Sequence, residues 1–164
     1  MIDFRIKKSS ALTGGLTFQF VYDKSDNRSD HNIEDFNFID SIFVQEEAFF
    51  LIEPIFSTNE STERTPEQQR YYHWGLNNYH DLNSLEIILQ QIIELQQGIQ
   101  QYKNLETVHK LDLYLTKKLK KILTIRRIRY KHQNEMVNYL TGIINFIKVA
   151  IDDKDIKGIW VIGI

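Results

Sequence analysis

The residues of this chain that could perform chemistry are mostly dispersed. None of the five histidines stands in an H-E-x-x-H pattern, which would place two imidazoles on one helix face as zinc ligands. Cysteine is absent, so thiolate metal sites, cysteine nucleophiles and disulfides are excluded. The pair Gly14-Gly15 lacks the Lys-Ser/Thr that completes a phosphate-binding loop. We therefore expect no metal, no cofactor and no catalytic residue.

A cationic segment offers the main alternative. From Lys117 to Lys131, eight of fifteen residues are basic and none is acidic. Arg127 and His132 within RIRYKH have the R-x4-H spacing. This spacing resembles that of HEPN-family ribonucleases, which implies that the arginine would stabilise phosphate charge and the histidine would transfer a proton. The basic helix around residues 117–132 would then define an RNA-acting enzyme or a nucleic-acid-binding protein.

Two observations argue against nucleic acid as the main partner. The sequence pI is about 6.2, and no aromatic platform of an RNA-recognition type accompanies the basic segment. The strands expected near the N-terminus also depart from the all-helical build of the HEPN family. A solvated helix face accounts for most of these cations.

An acidic segment lies in the N-terminal half of the chain, and a stretch rich in aromatic residues follows it. Between Asp23 and Glu63, eleven residues are acidic and two are basic, an asymmetry that the formal net charge of -2 conceals. Residues 71–82 then read YYHWGLNNYHDL. Carboxylates can steer a basic partner, and aromatic side chains can anchor it or bury in the core. The candidate partner-binding residues are Asp35, Asp40, Glu46, Glu47, Glu53, Tyr72, Trp74 and Tyr79. The competing interpretation is an ordinary solvated acidic loop.

The elements that must position these residues begin with strands. Residues 1–8 and 16–23 alternate apolar and polar side chains, the period of a strand with one buried face. FNFIDSIFV and AFFLIEPIF predict two more apolar strand-like segments, the second ending near Pro54 because proline cannot donate to a ladder. The closing GIWVIGI predicts a buried last strand.

Helices are predicted between these strands. Asn83 and Glu86 have the form of a capping box, and apolar residues from Leu85 to Tyr102 then recur at helical spacing. A second helix is predicted from about Asn104, and a third carries the apolar residues from Ile125 to Ile151. Whether these two are continuous stays open. The glutamine-rich patch around residues 90–101 is interpreted as the solvated side of the first helix.

The order of elements predicts one domain, residues 1–164, of the α+β class. We expect a mostly antiparallel N-terminal sheet with about three helices packed on one face and a final C-terminal strand. No secretory signal and no apolar run of about 20 residues is present in the sequence, so a soluble, cytoplasmic protein without a membrane partner is expected.

A family resemblance connects these features. The N-terminal strands, the segment FIDSIFVQEEAFFLIEPIF, the turn YYHWGLNNY and the capped helix SLEIILQQI together resemble the small immunity proteins of bacterial polymorphic-toxin and contact-dependent growth-inhibition systems. The resemblance covers Phe36 to Leu95. It implies a non-catalytic protein that binds the C-terminal domain of a cognate toxin, commonly a nuclease, and blocks its active site. It does not identify the toxin or the oligomeric state.

Overall fold

The computed structural model describes residues 3–8, 17–24, 40–59, 78–100 and 133–163. Five strands and four helices lie in these ranges. The strands are β1 (Lys7–Lys8), β2 (Thr17–Asp23), β3 (Ile42–Gln45), β4 (Tyr79–Asp81) and β5 (Gly158–Gly163), and the helices are α1 (Glu46–Phe49), α2 (Glu53–Thr58), α3 (Leu82–Gln100) and α4 (Gln133–Asp152).

The five strands form one antiparallel sheet in the order β1-β3-β2-β5-β4. The last strand of the chain therefore lies inside the sheet, between β2 and β4. This arrangement confirms the predicted α+β class and the predicted C-terminal strand. The long register between β2 and β5, from Phe18 opposite Gly163 to Asp23 opposite Gly158, forms the centre of the sheet.

Alternation along β2 and β5 separates two buried faces. Phe18 and Phe20 of β2 belong to the main hydrophobic core, together with Ile159 and Val161 of β5. All four described helices contribute residues to that core, which confirms that they pack on one face. The opposite face holds a smaller buried cluster, formed by Val21, Tyr79, Trp160 and Ile162. The face of β2 that the sequence pattern assigned to solvent is therefore also buried, although most of its residues are polar: Thr17, Gln19, Val21 and Asp23.

The helical layer consists mainly of α3 and α4. Their buried residues recur every three or four positions, as predicted from the sequence. Gln96 of α3 donates to the Val137 carbonyl (3.1 Å) and to the Thr141 hydroxyl (2.7 Å) of α4. Gln133 Nε2 donates to the Gln100 carbonyl (3.1 Å) at the end of α3. The glutamine-rich segment is therefore not only a solvated face, because the Gln96 side chain joins α3 to α4.

The segment AFFLIEPIF is helical, and its predicted extended structure was wrong. It forms α1 and α2 in place of a strand, with Ala48, Phe49, Ile55 and Phe56 buried in the main core. Pro54 lies in the first turn of α2, where a backbone N–H has no helical acceptor and proline is tolerated. A short apolar run fits a buried strand and a buried helix equally well, and packing against β2 decides between them here.

Two element boundaries also differ from the sequence-based predictions. Of the described residues 3–8 in the first predicted strand, Lys7 and Lys8 alone pair with β3, and residues 3–6 have no regular secondary structure. Helix α3 begins at Leu82. The N–H of Ser84, in the first turn of this helix, donates to Asp81 Oδ1 at 2.8 Å. The cap is thus Asp81, an ordinary N-cap residue, and the predicted capping role of Asn83 was wrong. The predicted second helix lies outside the described residues.

Candidate partner-binding surface

The structure describes five of the eight candidate partner-binding residues. Asp40, Glu46, Glu47, Glu53 and Tyr79 lie in the described ranges. Outside the described residues lie Asp35, Tyr72 and Trp74, together with Arg127, His132 and the rest of the basic segment. The predictions on those positions therefore stay predictions.

Three of the described carboxylates lie at helix N-termini. Glu46 and Glu47 occupy the first turn of α1, and Glu53 occupies the first turn of α2. All three are partly buried. A carboxylate near a helix N-terminus interacts favourably with the unpaired N–H groups there, typically by about 0.3–1 kcal/mol. The positions of these glutamates thus have an explanation within the fold itself.

Asp40 lies at the opposite end of β3 from these glutamates. Strand β3 runs from Ile42 to Gln45, so Asp40 precedes it and Glu46 follows it. Four strand residues at about 3.3 Å each separate the two ends by roughly 13 Å. Asp40 and the pair Glu46–Glu47 therefore lie at opposite ends of β3.

Asp40 instead lies at the end of the sheet that the segment after α4 also reaches, since Phe20 of β2 pairs with Ile42 of β3 and the Lys157 N–H donates to the Asp23 carbonyl at 2.7 Å. The charges of Asp40 and Asp153 both act on the Tyr22 hydroxyl and add to burial, the largest effect, in raising its pKa. Asp153 follows α4 and accepts a hydrogen bond from the Asp155 N–H (3.0 Å). Asp152 and Asp155 are exposed, as is Asp40. We call Asp40, Asp152, Asp153 and Asp155 the aspartate rim.

The placement of the aspartate rim works against the electrostatics of helix α4. The last turn of that helix contains no basic residue, and its C-terminal carbonyls carry a partial negative charge. Carboxylates at this end are repelled by about the same 0.3–1 kcal/mol that favours them at an N-terminus. Lys154, an exposed cation, lies within the same turn. Unlike Glu46, Glu47 and Glu53, the rim has no explanation in helix stability.

Tyr22, whose hydroxyl is affected by two of the rim carboxylates, joins strand β2 to helix α4. Its ring stacks on Phe146 of α4 at a centroid distance of 4.0 Å and an interplanar angle of 8°. Its hydroxyl donates to the Phe146 carbonyl at 3.0 Å. Strand β2 and helix α4 are thus fixed to each other through Tyr22.

Tyr79, the described member of the aromatic stretch, is a sheet residue. It is 4% exposed and lies opposite Trp160 of β5, with ring centroids 4.8 Å apart. Its hydroxyl donates to the Lys157 carbonyl at 2.9 Å. The ring also passes so close to Gly158 that a side chain there would overlap it. In this structure the Tyr79 side chain is buried against β5 and has almost no exposed surface for a partner to contact.

His80 is fully buried on the other face of β4. Its Nδ1 atom lies 2.9 Å from the Asn59 carbonyl oxygen, and its ring meets Phe56 edge to face at 5.2 Å. Among the residues that the structure describes, no three histidine, aspartate or glutamate side chains are grouped as metal ligands. The geometry of His80 is that of a histidine packed in the core.

Sequence reasoning missed most of the aspartate rim. The signal was present as DDKD at residues 152–155, immediately after a strongly periodic helix. What the sequence could not show is that this turn lies beside Asp40, since that follows from the pairing of β2 with both β3 and β5.

Comparison with known proteins gives no relative: no protein-family model matches the chain, and no curated protein or solved structure is significantly similar to it. Among the described helices, none combines the length and the apolar character that crossing a bilayer requires.

Proposed function

We propose that this chain is an immunity protein, which binds the C-terminal domain of a cognate toxin and blocks its active site. The proposal rests on the family resemblance of the sequence and on one structural observation. That observation is the aspartate rim, in which carboxylates from two separate parts of the chain lie at the same end of the sheet, the end at which α4 also terminates.

The chemistry of the rim fits a basic partner. Nuclease toxins need cationic clefts to hold phosphates, and a row of carboxylates can occupy such a cleft through charge-assisted hydrogen bonds. Complementary charge also increases the association rate, an effect that falls as salt screens it. A cationic partner would in addition relieve the repulsion between the rim carboxylates and the carbonyls of α4.

The two acidic groups provide a matched experiment. Asp152 and Asp155 are both changed to lysine in one variant, and Glu46 and Glu47 are both changed to lysine in the other, so the change in net charge is identical. A toxin-like domain found in a neighbouring reading frame serves as the partner; calorimetry gives the dissociation constant and stopped-flow fluorescence the association rate. We expect the rim variant to bind at least tenfold more weakly, mostly through a slower association rate, and the control to stay within about threefold.

Activity of the protein alone is the second measurement. The proposal expects that the purified chain leaves single-stranded RNA intact and that toxin activity falls when the chain is added in equal amount. Salt-dependent cleavage of RNA that is lost on Arg127→Ala would instead favour the ribonuclease alternative. Equal losses of affinity in the two charge-reversal variants would contradict the role of the rim while leaving toxin binding itself intact.

A further inference from the structure

Helices α3 and α4 form an antiparallel pair that stays in register up to the end of α3. Gln96 of α3 donates to the Val137 carbonyl of α4 at 3.1 Å. Four residues further along α3, the Gln100 carbonyl accepts a hydrogen bond from Gln133 Nε2 at 3.1 Å, and Gln133 lies four residues before Val137. Because the contact moves by the same number of residues in opposite directions, the two helices run side by side as far as Gln100.

Gln133, the first residue of α4, closes the junction between the two helices. Its side chain is 8% exposed and also donates to the Ile99 carbonyl, so one amide group binds two of the last carbonyls of α3. These carbonyls have no partner within their own helix and need one where they are buried. The residue at which α3 ends and the residue at which α4 begins are therefore within reach of a single side chain.

Residues 101–132 thus connect two points of the fold that already adjoin. A loop of about two to five residues is enough to join two antiparallel helices. Helix α3 ends at Gln100 and α4 begins at Gln133, so the connection here has 32 residues. The geometry of the helical pair does not require this length.

The connecting residues also differ in charge from the rest of the chain. They include ten of the twenty basic residues and two of the twenty-two acidic ones, so they carry a net charge of +8 and the remainder carries -10. Helix α4 has 20 residues and spans about 30 Å from Gln133 to Asp152. Because Asp152 belongs to the aspartate rim, the rim lies at the far end of the helical pair from the junction.

We propose that residues 101–132 are an insertion in the α3–α4 hairpin that the domain does not need in order to fold, and that the acidic remainder alone binds a basic partner. The first half of this proposal stands on the register of the two helices. The second half rests on the proposed function. A ribonuclease that used Arg127 and His132 would instead lose both residues with the insertion.

Two replacements of the insertion test the first half. One variant joins Gln100 to Gln133 by four Gly/Ser residues, and its matched control joins them by 32. The entropy cost of closing a loop grows with the logarithm of its length, so the eightfold shorter loop should lower the equilibrium constant of unfolding roughly 20-fold relative to the control. The control should stay within about tenfold of the wild type because its loop length is unchanged. Urea unfolding followed by circular dichroism gives these constants.

Three results would overturn the first half. The first is the loss of a cooperative transition in both replacements, and the second is a control that unfolds more than about tenfold more readily than the wild type. The third is a four-residue variant no more stable than the control, since the helix ends would then not adjoin. The full chain with a protease site inserted between Thr116 and Lys117 repeats the test with native residues. Its two fragments should stay associated in gel filtration after cleavage, and their separation would also contradict the proposal.

Calorimetry with the toxin domain and the four-residue variant tests the second half. The dissociation constant should equal that of the wild type or fall below it, because the rim is retained and cations that repel a basic partner are removed. A folded variant that binds more than about tenfold more weakly would overturn this half. If the wild type itself binds no toxin domain, the second half fails together with the proposed function, and the unfolding measurements decide the first half independently.

Discussion

Replacing Gly158 with alanine is predicted to destabilise the sheet strongly. A Cβ atom at this position would overlap the carbonyl oxygen of His80 and would lie 2.6 Å from Cζ of Tyr79. The His80 carbonyl belongs to the backbone of β4, which cannot move away without disturbing its pairing with β5. The Tyr79 ring cannot move away without losing the bond from its hydroxyl to Lys157 (2.9 Å).

The magnitude follows from these two contacts. Overpacking a well-packed site destabilises by about 1–3 kcal/mol, and the loss of one hydrogen bond adds roughly 1 kcal/mol. The expected loss is therefore about 2–4 kcal/mol out of the 5–15 kcal/mol typical of a domain. For a domain of this size each kcal/mol lowers Tm by about 2–4 °C, so we expect a decrease of roughly 4–16 °C.

Gly142→Ala is the matched control for this prediction. The new Cβ there would meet only the end of the Ile6 side chain, which can rotate. Alanine also favours a helix over glycine by about 1 kcal/mol, which offsets that displacement. Urea unfolding followed by circular dichroism gives both free energies. The reasoning is refuted if Gly158→Ala unfolds within 1 kcal/mol of the wild type or if the two variants lose the same stability.

Two further predictions concern the cap of α3 and the buried tyrosines. Asp81→Ala should lower the free energy of unfolding by about 0.5–2 kcal/mol because it removes the N-cap. Asn83→Ala, at the exposed position that the sequence suggested as the cap, should change it by less than about 0.5 kcal/mol. A larger loss in Asn83→Ala than in Asp81→Ala would contradict the assignment of the cap to Asp81. Burial raises the pKa of both Tyr22 and Tyr139, so the folded protein holds these protons more tightly than the unfolded chain. Their contribution to stability is complete below the ordinary tyrosine pKa near 10 and is lost as pH rises above it. Absorbance at 295 nm measures the ionisation of tyrosine, and urea unfolding between pH 9 and 12 measures the free energy of unfolding. A free energy of unfolding that rises across this range would contradict the prediction.

The period of the hydrophobic pattern predicted the long elements well. The alternation of residues 16–23 and the helical spacing after Leu85 each correspond to an element in the structure, because packing of one apolar face against the main core imposes that period over many residues. The segment AFFLIEPIF was assigned wrongly, since a continuous apolar run has no period that separates strand from helix. The N-terminal cap was misplaced by two residues because Asp81 and Asn83 can both cap a helix, and the end of β4 decides which one does.

The candidate surface shows a different limit of sequence reasoning. Asp40 and Glu46 lie six positions apart in the chain but at opposite ends of β3, whereas Asp40 and Asp153, more than a hundred residues apart, both act on the Tyr22 hydroxyl. Charge counts along the chain measure composition and not proximity. Sheet register determines which carboxylates share a surface, and that register depends on long-range pairing of β2 with β5.

Carboxyl labelling of the free and toxin-bound protein tests the central claim most directly. A water-soluble carbodiimide modifies exposed carboxylates, and mass spectrometry gives the extent at each position. If a basic partner docks on the aspartate rim, labelling of Asp40, Asp152 and Asp155 should fall severalfold in the complex while that of Glu46 and Glu47 stays unchanged. Protection of the two glutamates with undiminished labelling of the rim would contradict the account.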